Sequence, residues 1–339
     1  MEHELRKRRD FVTLIQRKFQ VENHEQLRPD VAMQSWQSPH GRPLPHVGDR
    51  TLIMAILNVT PDSFSDGGHL DSLQAIVDRA GALIAAGADV LDVGGESTRP
   101  GAAAVSADEE LDRVLPAIEA LRRAFPQAAL SVDTYKAEVA QAAVRAGADI
   151  INDVWGLSHG LTPEQREELR NEAKSGGSKV QPGTQSVSPM ASVAAALGCP
   201  VILMHNRPDR DYVDFWTDFE TDLKCSLHLS EKAGISRHQI WLDPGFGFAK
   251  TPAQNLAVIR DLGRICAWGY PVLIGTSRKS TLGLVLGTEV NRRAEGTAAT
   301  AVWSVQQGCS MVRVHDVDEV VPFLKVADAL KAGLRFQSV

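Results

Sequence analysis

The sequence predicts a single parallel (β/α)8 barrel of the TIM type, on two observations. Eight short apolar runs recur along the 339 residues, and each of them ends in polar or charged residues. Segments of helical length separate the runs, which is the pattern of consecutive βαβ units in a parallel sheet. Such a barrel takes about 250 residues and binds its ligands at the carboxyl ends of its strands. The polar residues that end the eight runs are therefore the candidate site.

Each predicted strand is an apolar run together with the polar residues that end it. In chain order these are TLIMAILN at Asn58, DVLDVGGEST at Glu96 to Thr98, LSVD at Asp133, DIIND at Asn152 and Asp153, VILMHN at His205 and Asn206, IWLD at Asp243, VLIGTSRK at Arg278 and Lys279, and MVRVHD at Arg313 to Asp316. We expect helices at 71–86, 108–125, 136–146, 252–264, 291–307 and 317–331. Two of them end in the same A-G-A-D turn, at Gly87 and Gly147, because glycine readily adopts the left-handed conformation that ends a helix.

Two segments lie outside the regular barrel pattern. Residues 1–50 form an N-terminal extension, in which 1–20 have the apolar spacing of one amphipathic helix, and the barrel occupies 51–339. About fifty residues separate Asn152 from Met204, more than an ordinary crossover needs. The Gly, Ser, Gln and Pro content of 175–189 predicts a flexible insertion at about 158–190.

Composition narrows the class of protein and of partner. The formal net charge is −6 at pH 7, so no positive field draws the chain to nucleic acid or to an anionic membrane. No apolar run reaches the roughly 18–20 residues of a membrane span, and the N-terminus lacks the pattern of a secretory leader. The four cysteines have no paired C-x-x-C spacing, as in reduced cytosolic proteins. We expect a cytoplasmic enzyme that acts on small molecules.

The loops after the first two strands have the composition of ligand-binding loops. The first, NVTPDSFSDGG, begins at Asn58, whose amide oxygen can bind a hard cation such as Mg²⁺, and it places Phe64 among polar residues. A plain turn at Pro61 explains it equally well. The second, GGESTRPG, combines glycines with Arg99 and suits an anionic group. Tight strand packing with a local pair between Glu96 and Arg99 is the alternative.

Three strand ends carry groups that are costly to bury. Asp133, Asn152 and Asp243 end separate strands and face a shared apolar floor, so their hydrogen-bonding capacity must be filled. A flat nitrogen heterocycle with ring N–H and amino donors would fill it. Each residue alone could instead cap a helix or pair with a lysine.

The last two strands end in a predicted anion site. In TSRKS two cations and Ser280 lie at the start of a helix, with Ser280 as the candidate cap. Arg313 and His315 are two residues apart on a strand and therefore face the same way. Because barrels often bind phosphate at strands seven and eight, a phosphorylated substrate is favoured.

Together these motifs closely resemble those of dihydropteroate synthase of the folate pathway. NVTPDSFSDGG, DVGGESTRPGA, SVDT, INDV, VILMH, LDPGFGF, GTSRKS and RVHD occur in this order over residues 51 to about 333. The resemblance implies a homodimeric (β/α)8 barrel that uses Mg²⁺. It also implies condensation of 6-hydroxymethyl-7,8-dihydropterin diphosphate with p-aminobenzoate to give 7,8-dihydropteroate and diphosphate.

The resemblance assigns a role to each matching residue. The pterin would contact Asp133, Asn152, Met204, Asp243, Phe248, Gly275 and Lys279. The diphosphate would contact Asn58, Thr98, Arg99, Arg313 and His315, and Asn58 would also bind the metal. The p-aminobenzoate would contact Pro61, Phe64, Thr98, Arg278, Lys279 and Ser280. The catalytic residues would be Asp133, Lys279, Asp243, Arg313 and His315.

The chemistry expected of these residues is a dissociative substitution at the pterin methylene carbon. An arylamine is neutral near about pH 7 and nucleophilic, so the site must mainly promote departure of a charged leaving group. Two alternatives stay open. A corrinoid-linked pterin methyltransferase shares the Asp, Asn, Asp set but does not need NVTPDSF or SRKS, and a non-catalytic pterin-binding paralogue would bind without turnover.

Overall fold

The protein, seen in a computed structural model, is described over residues 36–59, 69–97, 104–174 and 187–333. Eight strands lie in these ranges: β1 Leu52–Asn58, β2 Val90–Gly94, β3 Ala129–Asp133, β4 Ile150–Asp153, β5 Val201–Met204, β6 Ile240–Asp243, β7 Leu273–Ile274 and β8 Met311–Val314. They form one parallel sheet in the order β6-β5-β4-β3-β2-β1-β8-β7. A parallel bridge between Leu242 and Val272 joins the two ends of this sheet. The predicted (β/α)8 barrel is confirmed.

Helices surround the barrel and fill its crossovers. Those within the described ranges are α1 His69–Ala86, α2 Ala107–Ala124, α3 Ala137–Ala146, α4 Pro163–Lys174, α5 Pro189–Leu197, α6 Phe215–Ala233, α7 Pro252–Arg260, α8 Gly263–Cys266, α9 Ser280–Leu286, α10 Ala294–Gln306 and α11 Val317–Ala332. Each of the six helices predicted for the barrel is present, although the one expected at 252–264 is divided into α7 and α8. Among the described helices, none has the length and apolarity that crossing a bilayer requires.

Alternate residues of each strand point into the barrel, and the lower part of this interior is apolar. It contains Leu52, Met54, Val90, Ala129, Ile150, Ile202, Trp241, Leu273 and Met311. Trp36 and Val47, from the chain segment before β1, pack against the same cluster, and the rings of Trp36 and Trp241 lie 4.7 Å apart. The described part of the N-terminal extension therefore seals the amino end of the barrel.

The two A-G-A-D turns have the same structure and make the same type of contact at the amino ends of the strands. Gly87 and Gly147 have φ of 109° and 125°, the positive values predicted for a glycine that ends a helix. The aspartate that follows each glycine accepts a hydrogen bond from the first part of a neighbouring strand. Asp89 accepts from the backbone N–H of Ile53 at 2.9 Å, and Asp149 accepts from that of Leu130 at 3.0 Å.

The described part of the long crossover after β4 contains two helices, α4 and α5. Helix α4 packs against α6, where Arg170 binds Asp218 and Asp222 at 2.9 and 2.5 Å, and Leu169 is buried. Residues 163–174 of the predicted insertion are thus helical and anchored. Residues 175–186 lie outside the described residues, as do 1–35 with the amphipathic helix expected at 1–20. The flexibility of the insertion stays a prediction.

Candidate functional site

The predicted site residues lie at the carboxyl rim, meaning the carboxyl ends of the eight strands, and they continue the inward-facing positions of the apolar interior. Every second residue along a strand faces the same side. Counting from the apolar residues of each strand, this spacing reaches Asn58, Asp133, Asn152, Met204, Asp243, Gly275 and Arg313. The strand register sets Asp133 beside Asn152 and Met204 beside Asp243. The fold thus collects these residues into the top layer of the barrel interior.

A network of hydrogen bonds joins three of these residues, Asp133, Asn152 and Arg313, with the inward-facing Asp92 of β2 into a polar floor. Arg313 donates from Nε to Oδ2 of Asp92 at 2.6 Å and from Nη2 to Oδ2 of Asp133 at 2.5 Å. The amide of Asn152 donates to the same Oδ2 of Asp92 at 3.0 Å. Arg313 is thereby part of the floor.

The floor keeps hydrogen-bond acceptors that the described protein does not use. Oδ1 of Asp92 and Oδ1 of Asp133 are buried and have no hydrogen-bond partner in the described part of the chain. Burial raises the pKa of Asp133, although the attraction of Arg313 opposes this shift. Burial likewise raises the pKa of Asp243 to about 6, against the N–H of Gly245. An orphaned buried acceptor is costly, so a ligand that donates hydrogen bonds here would be bound strongly.

Asp243 is followed by a loop of six residues, 244–249, that turns back over the floor. The backbone N–H of Gly245 donates to Oδ1 of Asp243 at 2.7 Å, which fixes the carboxylate. Phe248 lies further along this loop, and Nζ of Lys279 is 4.2 Å from the centre of its ring. The structure therefore brings Asp243, Phe248 and Lys279 together, as the sequence predicted for the pterin site.

The ends of β7 and β8 lie side by side on the rim, next to the end of β6. Oγ of Ser277 lies 2.9 Å from Nδ1 of His315 and accepts the backbone N–H of His315 at 3.1 Å. Arg278 has a positive φ of 56° and binds Asp316, at 2.9 Å from Nε to Oδ2. Arg278 is therefore engaged away from the polar floor.

One expectation at this helix start is wrong. Ser280 was the candidate cap of the helix after β7, but the capping position is occupied by Lys279, which makes no side-chain capping bond, and Ser280 is the first helical residue. The positive φ of Arg278 turns the chain one residue earlier than the motif suggested. Ser280 is exposed there.

The first two loops of the rim are described only at their bases. Asn58 ends β1 and is exposed. Gly94 of β2 lies close to both Asn58 and Asp133: a Cβ atom built on Gly94 would be 3.7 Å from Oδ1 of Asn58 and 3.5 Å from Cβ of Asp133. Asn58 is thus a near neighbour of the floor. The predicted contacts Pro61, Phe64, Thr98 and Arg99 lie outside the described residues.

Sequence reasoning missed three residues that the structure places in or beside this site. Asp92 is fully buried in the middle of β2, and its signal was a carboxylate at an inward position of an apolar strand. Ser277 stands inside the GTSRKS motif and Lys250 two residues after LDPGFGF, but neither was given a role. Their contacts with His315 and His205 join distant parts of the chain, so no local pattern predicts them.

The comparisons with known proteins agree with this geometry. The family model for pterin binding enzymes matches residues 54–315. A dihydropteroate synthase from Bacillus subtilis is 47% identical over 282 residues, which are 83% of this chain and 89% of that protein. One from Clostridium beijerinckii is 43% identical and covers 84% of this chain and 96% of its own length.

Solved structures are similar in both fold and sequence. A Xanthomonas albilineans dihydropteroate synthase with 4-aminobenzoic acid has a TM-score of 0.74 and 40% identity, covering 87% of this chain and 99% of its own. A Clostridium difficile dihydropteroate synthase in the presence of pteroic acid has a TM-score of 0.73 and 40% identity, covering 84% of this chain and 98% of its own.

Proposed function

Because the chain belongs to the family of pterin-binding enzymes, we propose that it is a dihydropteroate synthase, a transferase that joins 6-hydroxymethyl-7,8-dihydropterin diphosphate to p-aminobenzoate. The observation that carries the proposal is the polar floor, where Asp92 and Asp133 each keep a buried acceptor oxygen without a partner in the described residues. A pterin presents ring N–H and amino donors that match such acceptors.

The pterin would lie on the polar floor. Asp133, Asn152 and Asp243 provide hydrogen-bonding groups at the ends of three strands, and Arg313 fixes the orientation of Asp133. Met204 and Phe248 would contact the faces of the ring. Gly275 leaves room beside the aliphatic part of Arg313, and Lys279, beside Phe248, would line the edge of the pocket. These assignments rest on the inward direction that the residues share.

The diphosphate would lie above the floor, near Asn58, Thr98, Arg99, Arg313 and His315. The described residues contain no group of three or more His, Cys, Asp or Glu side chains that could hold a metal ion. Mg²⁺ commonly binds one or two protein oxygens and takes its other ligands from substrate phosphates and water. Asn58, exposed beside the floor, fits that role, and the ion would neutralise charge on the leaving diphosphate.

The p-aminobenzoate would approach from the first two loops and the start of α9. Pro61, Phe64 and Thr98 are its proposed contacts on the loops. Lys279, which lies against Phe248, and the exposed Ser280 are its contacts on the other side. Arg278 is a further proposed contact of p-aminobenzoate, and its guanidinium is bound to Asp316.

The proposed reaction is a substitution with a cation-like transition state. The bond between the pterin methylene carbon and the diphosphate oxygen breaks, and the diphosphate leaves with the electron pair. The amine nitrogen of p-aminobenzoate then bonds to this carbon and loses one proton. Asp133 and Asp243 stabilise positive charge that develops on the pterin, while Arg313 and His315 stabilise the departing anion.

We also propose that the enzyme works as a homodimer in the cytoplasm. An apolar face on α9, α10 and α11 exposes large side chains to solvent: Leu284, Val285, Leu286, Trp303, Phe323, Val326 and Leu330. A second copy of the chain is the partner that covers such a face most directly. Sedimentation equilibrium of the purified protein would give twice the mass of the chain if this is right.

One assay tests the proposed reaction against its alternatives. Purified protein is incubated with the pterin diphosphate, p-aminobenzoate and Mg²⁺, and release of diphosphate is followed. Turnover that requires both substrates supports the synthase, whereas pterin binding without turnover indicates the non-catalytic paralogue. Methyl transfer from a methylated pterin to a corrinoid protein would indicate the methyltransferase. Lys279→Ala is expected to abolish turnover while the melting temperature stays close to that of the wild type.

A further inference from the structure

A buried lysine with no assigned role lies directly behind the proposed pterin site. Lys250 follows the loop 244–249 after β6, and its side chain is only 3% exposed. Its neighbours among charged and titratable groups are His205, Asp243, Asp222, Lys279 and Arg207. Burying an ammonium group is costly unless its hydrogen bonds are satisfied, so the contacts of Lys250 indicate what it stabilises.

Those contacts tie the loop to itself and to the neighbouring strand. Nζ of Lys250 donates to the backbone oxygens of Gly245 and Phe248, both at 3.0 Å. It also lies 2.8 Å from Nδ1 of His205, at the end of β5. Burial lowers the pKa of Lys250 to about 7. In its protonated form Nζ has three protons and no acceptor, so these bonds saturate it and make Nδ1 of His205 the acceptor. Burial lowers the pKa of His205 well below its usual value, which favours this neutral acceptor form.

The loop held in this way sets the geometry of two proposed pterin contacts. Gly245, whose oxygen Lys250 binds, uses its own N–H to hold Oδ1 of Asp243 at 2.7 Å. Phe248, the other backbone acceptor, carries the ring that lies beside Lys279. A Cβ on Gly245 would lie 2.0 Å from the backbone oxygen of His205, so the loop is pressed closely against β5.

His205 is itself held rigidly. Its backbone N–H donates to the oxygen of Asp243 at 2.8 Å, and its ring stacks on Phe219 with centres 4.3 Å apart. Nε2 lies 3.3 Å from Oδ2 of Asp222, although the two atoms are not aligned for a hydrogen bond. The anchor for Lys250 is therefore a fixed point of the barrel wall.

We propose that Lys250 is a positioning residue for the reaction: it fastens the loop 244–249 to His205, so that Asp243 and Phe248 are held in the arrangement that binds the pterin. Lys250 does not touch the substrate in this proposal. The proposal rests on the proposed function, because it assumes that the pterin lies on the polar floor.

The test compares two lysine-to-methionine variants. Lys250→Met keeps the length of the side chain but removes all three donors. Its Kd for the pterin diphosphate, measured by calorimetric titration without p-aminobenzoate, is expected to rise by roughly 10- to 100-fold, as when partners that orient a ligand-binding group are lost. At saturating pterin, the KM for p-aminobenzoate is expected to stay within about twofold of the wild type. The control is Lys232→Met, which removes a half-buried ion pair with Glu172 on α4 and α6. It should leave both constants unchanged.

A second pair of variants, at His205, tests the positioning role of Lys250 if Lys250→Met fails to fold. His205→Asn keeps an acceptor near the position of Nδ1 and should retain the pterin affinity. His205→Phe keeps an aromatic ring against Phe219 but removes the acceptor, and it should weaken pterin binding by about tenfold.

The results separate the two proposals. If the wild type does not bind the pterin diphosphate, the proposed function fails. If the wild type binds it and Lys250→Met or His205→Phe binds it equally well, only the positioning role is overturned. Equal loss of affinity for both substrates, or the same loss in Lys232→Met, would also overturn it, because either result indicates a general structural defect.

Discussion

The two ends of the barrel use buried aspartates in opposite ways. At the amino end, Asp149 is fully buried and saturated: it accepts hydrogen bonds from Ser38, Arg42 and Arg122 and from the backbone of Leu130. At the carboxyl end, Asp92 and Asp133 are also buried, yet each keeps one oxygen without a hydrogen-bond partner in the described chain.

This difference separates stability from function within one sheet. Removing a saturated buried carboxylate destabilises the fold, because the charges and N–H groups that offset its desolvation are left buried and unpaired. An unsaturated one lowers stability until a ligand supplies the missing donors, so its retention indicates a binding role. Substitutions at the two ends should therefore change different measured quantities.

The largest effect is expected from Asp149→Asn. It removes the charge that compensates Arg42 and Arg122, whose side chains are only 19% and 15% exposed, and breaking such a buried pair costs about 3–5 kcal/mol. The free energy of unfolding in urea measures the loss. The Kd for the pterin diphosphate should not change, because the site lies at the other end of the strands.

Asp89→Asn is the matched control, since Asp89 occupies the same position in the first A-G-A-D turn. Its partner Arg50 is 52% exposed, so the loss should be about 1 kcal/mol or less. Equal destabilisation by the two substitutions would show that saturation by buried arginines is not what distinguishes Asp149.

The converse effect is expected from Asp133→Asn at the carboxyl end. Turnover should fall by about 100-fold or more, because the neutral amide neither stabilises a pterin cation nor offers both acceptor oxygens. The melting temperature should stay equal or rise, since burial raises the pKa of Asp133 and its ionised form is held at a cost. Diphosphate release and calorimetry measure the two quantities. A large fall in melting temperature would contradict the contrast between the two ends.

The pH dependence of the free energy of unfolding tests the same contrast at Asp243. Burial raises its pKa to about 6, so the folded chain binds this proton more tightly than the unfolded chain does. The resulting stabilisation is complete below about pH 4 and is lost as the pH rises through about 6. Relative to Asp243→Asn, which cannot titrate, the wild type should lose on the order of 2–3 kcal/mol between about pH 4 and pH 7.

The comparison with Asp243→Asn cancels the buried groups that do not interact with Asp243. Asp153 and Asp222 also have pKa values raised to about 6 by burial, but they are present in both proteins. Urea unfolding at each pH, with and without a pterin, measures the difference. A difference that does not depend on pH would show that Asp243 is ionised without cost in the unliganded protein.

The sequence predicted which polar residues end the strands, but not the contacts that these residues make with one another. Asp133, Asn152 and Asp243 were predictable because a polar residue at the inward-facing end of a strand in a parallel barrel lies at the carboxyl rim, where such barrels bind their ligands. The bond between Arg313 and Asp133 joins residues 180 positions apart, and Asp92 receives its partners from β4 and β8. The contact between Arg278 and Asp316 was not predictable either, because it follows from a positive φ that no residue type required.

The smallest effect is expected from Ser277→Ala, which tests whether neutral groups at the carboxyl end also serve the ligand. Oγ of Ser277 holds Nδ1 of His315 and accepts its backbone N–H, so it fixes the orientation of the ring near the diphosphate. Its loss should lower kcat about tenfold, or about 1.4 kcal/mol, with little change in melting temperature. Ser304→Ala is the control, because Ser304 is fully buried on α10, where its Oγ donates to the backbone oxygen of Thr300, and its removal should leave kcat unchanged. If both substitutions lower kcat equally, the effect comes from a general loss of packing, and the ring of His315 needs no such support.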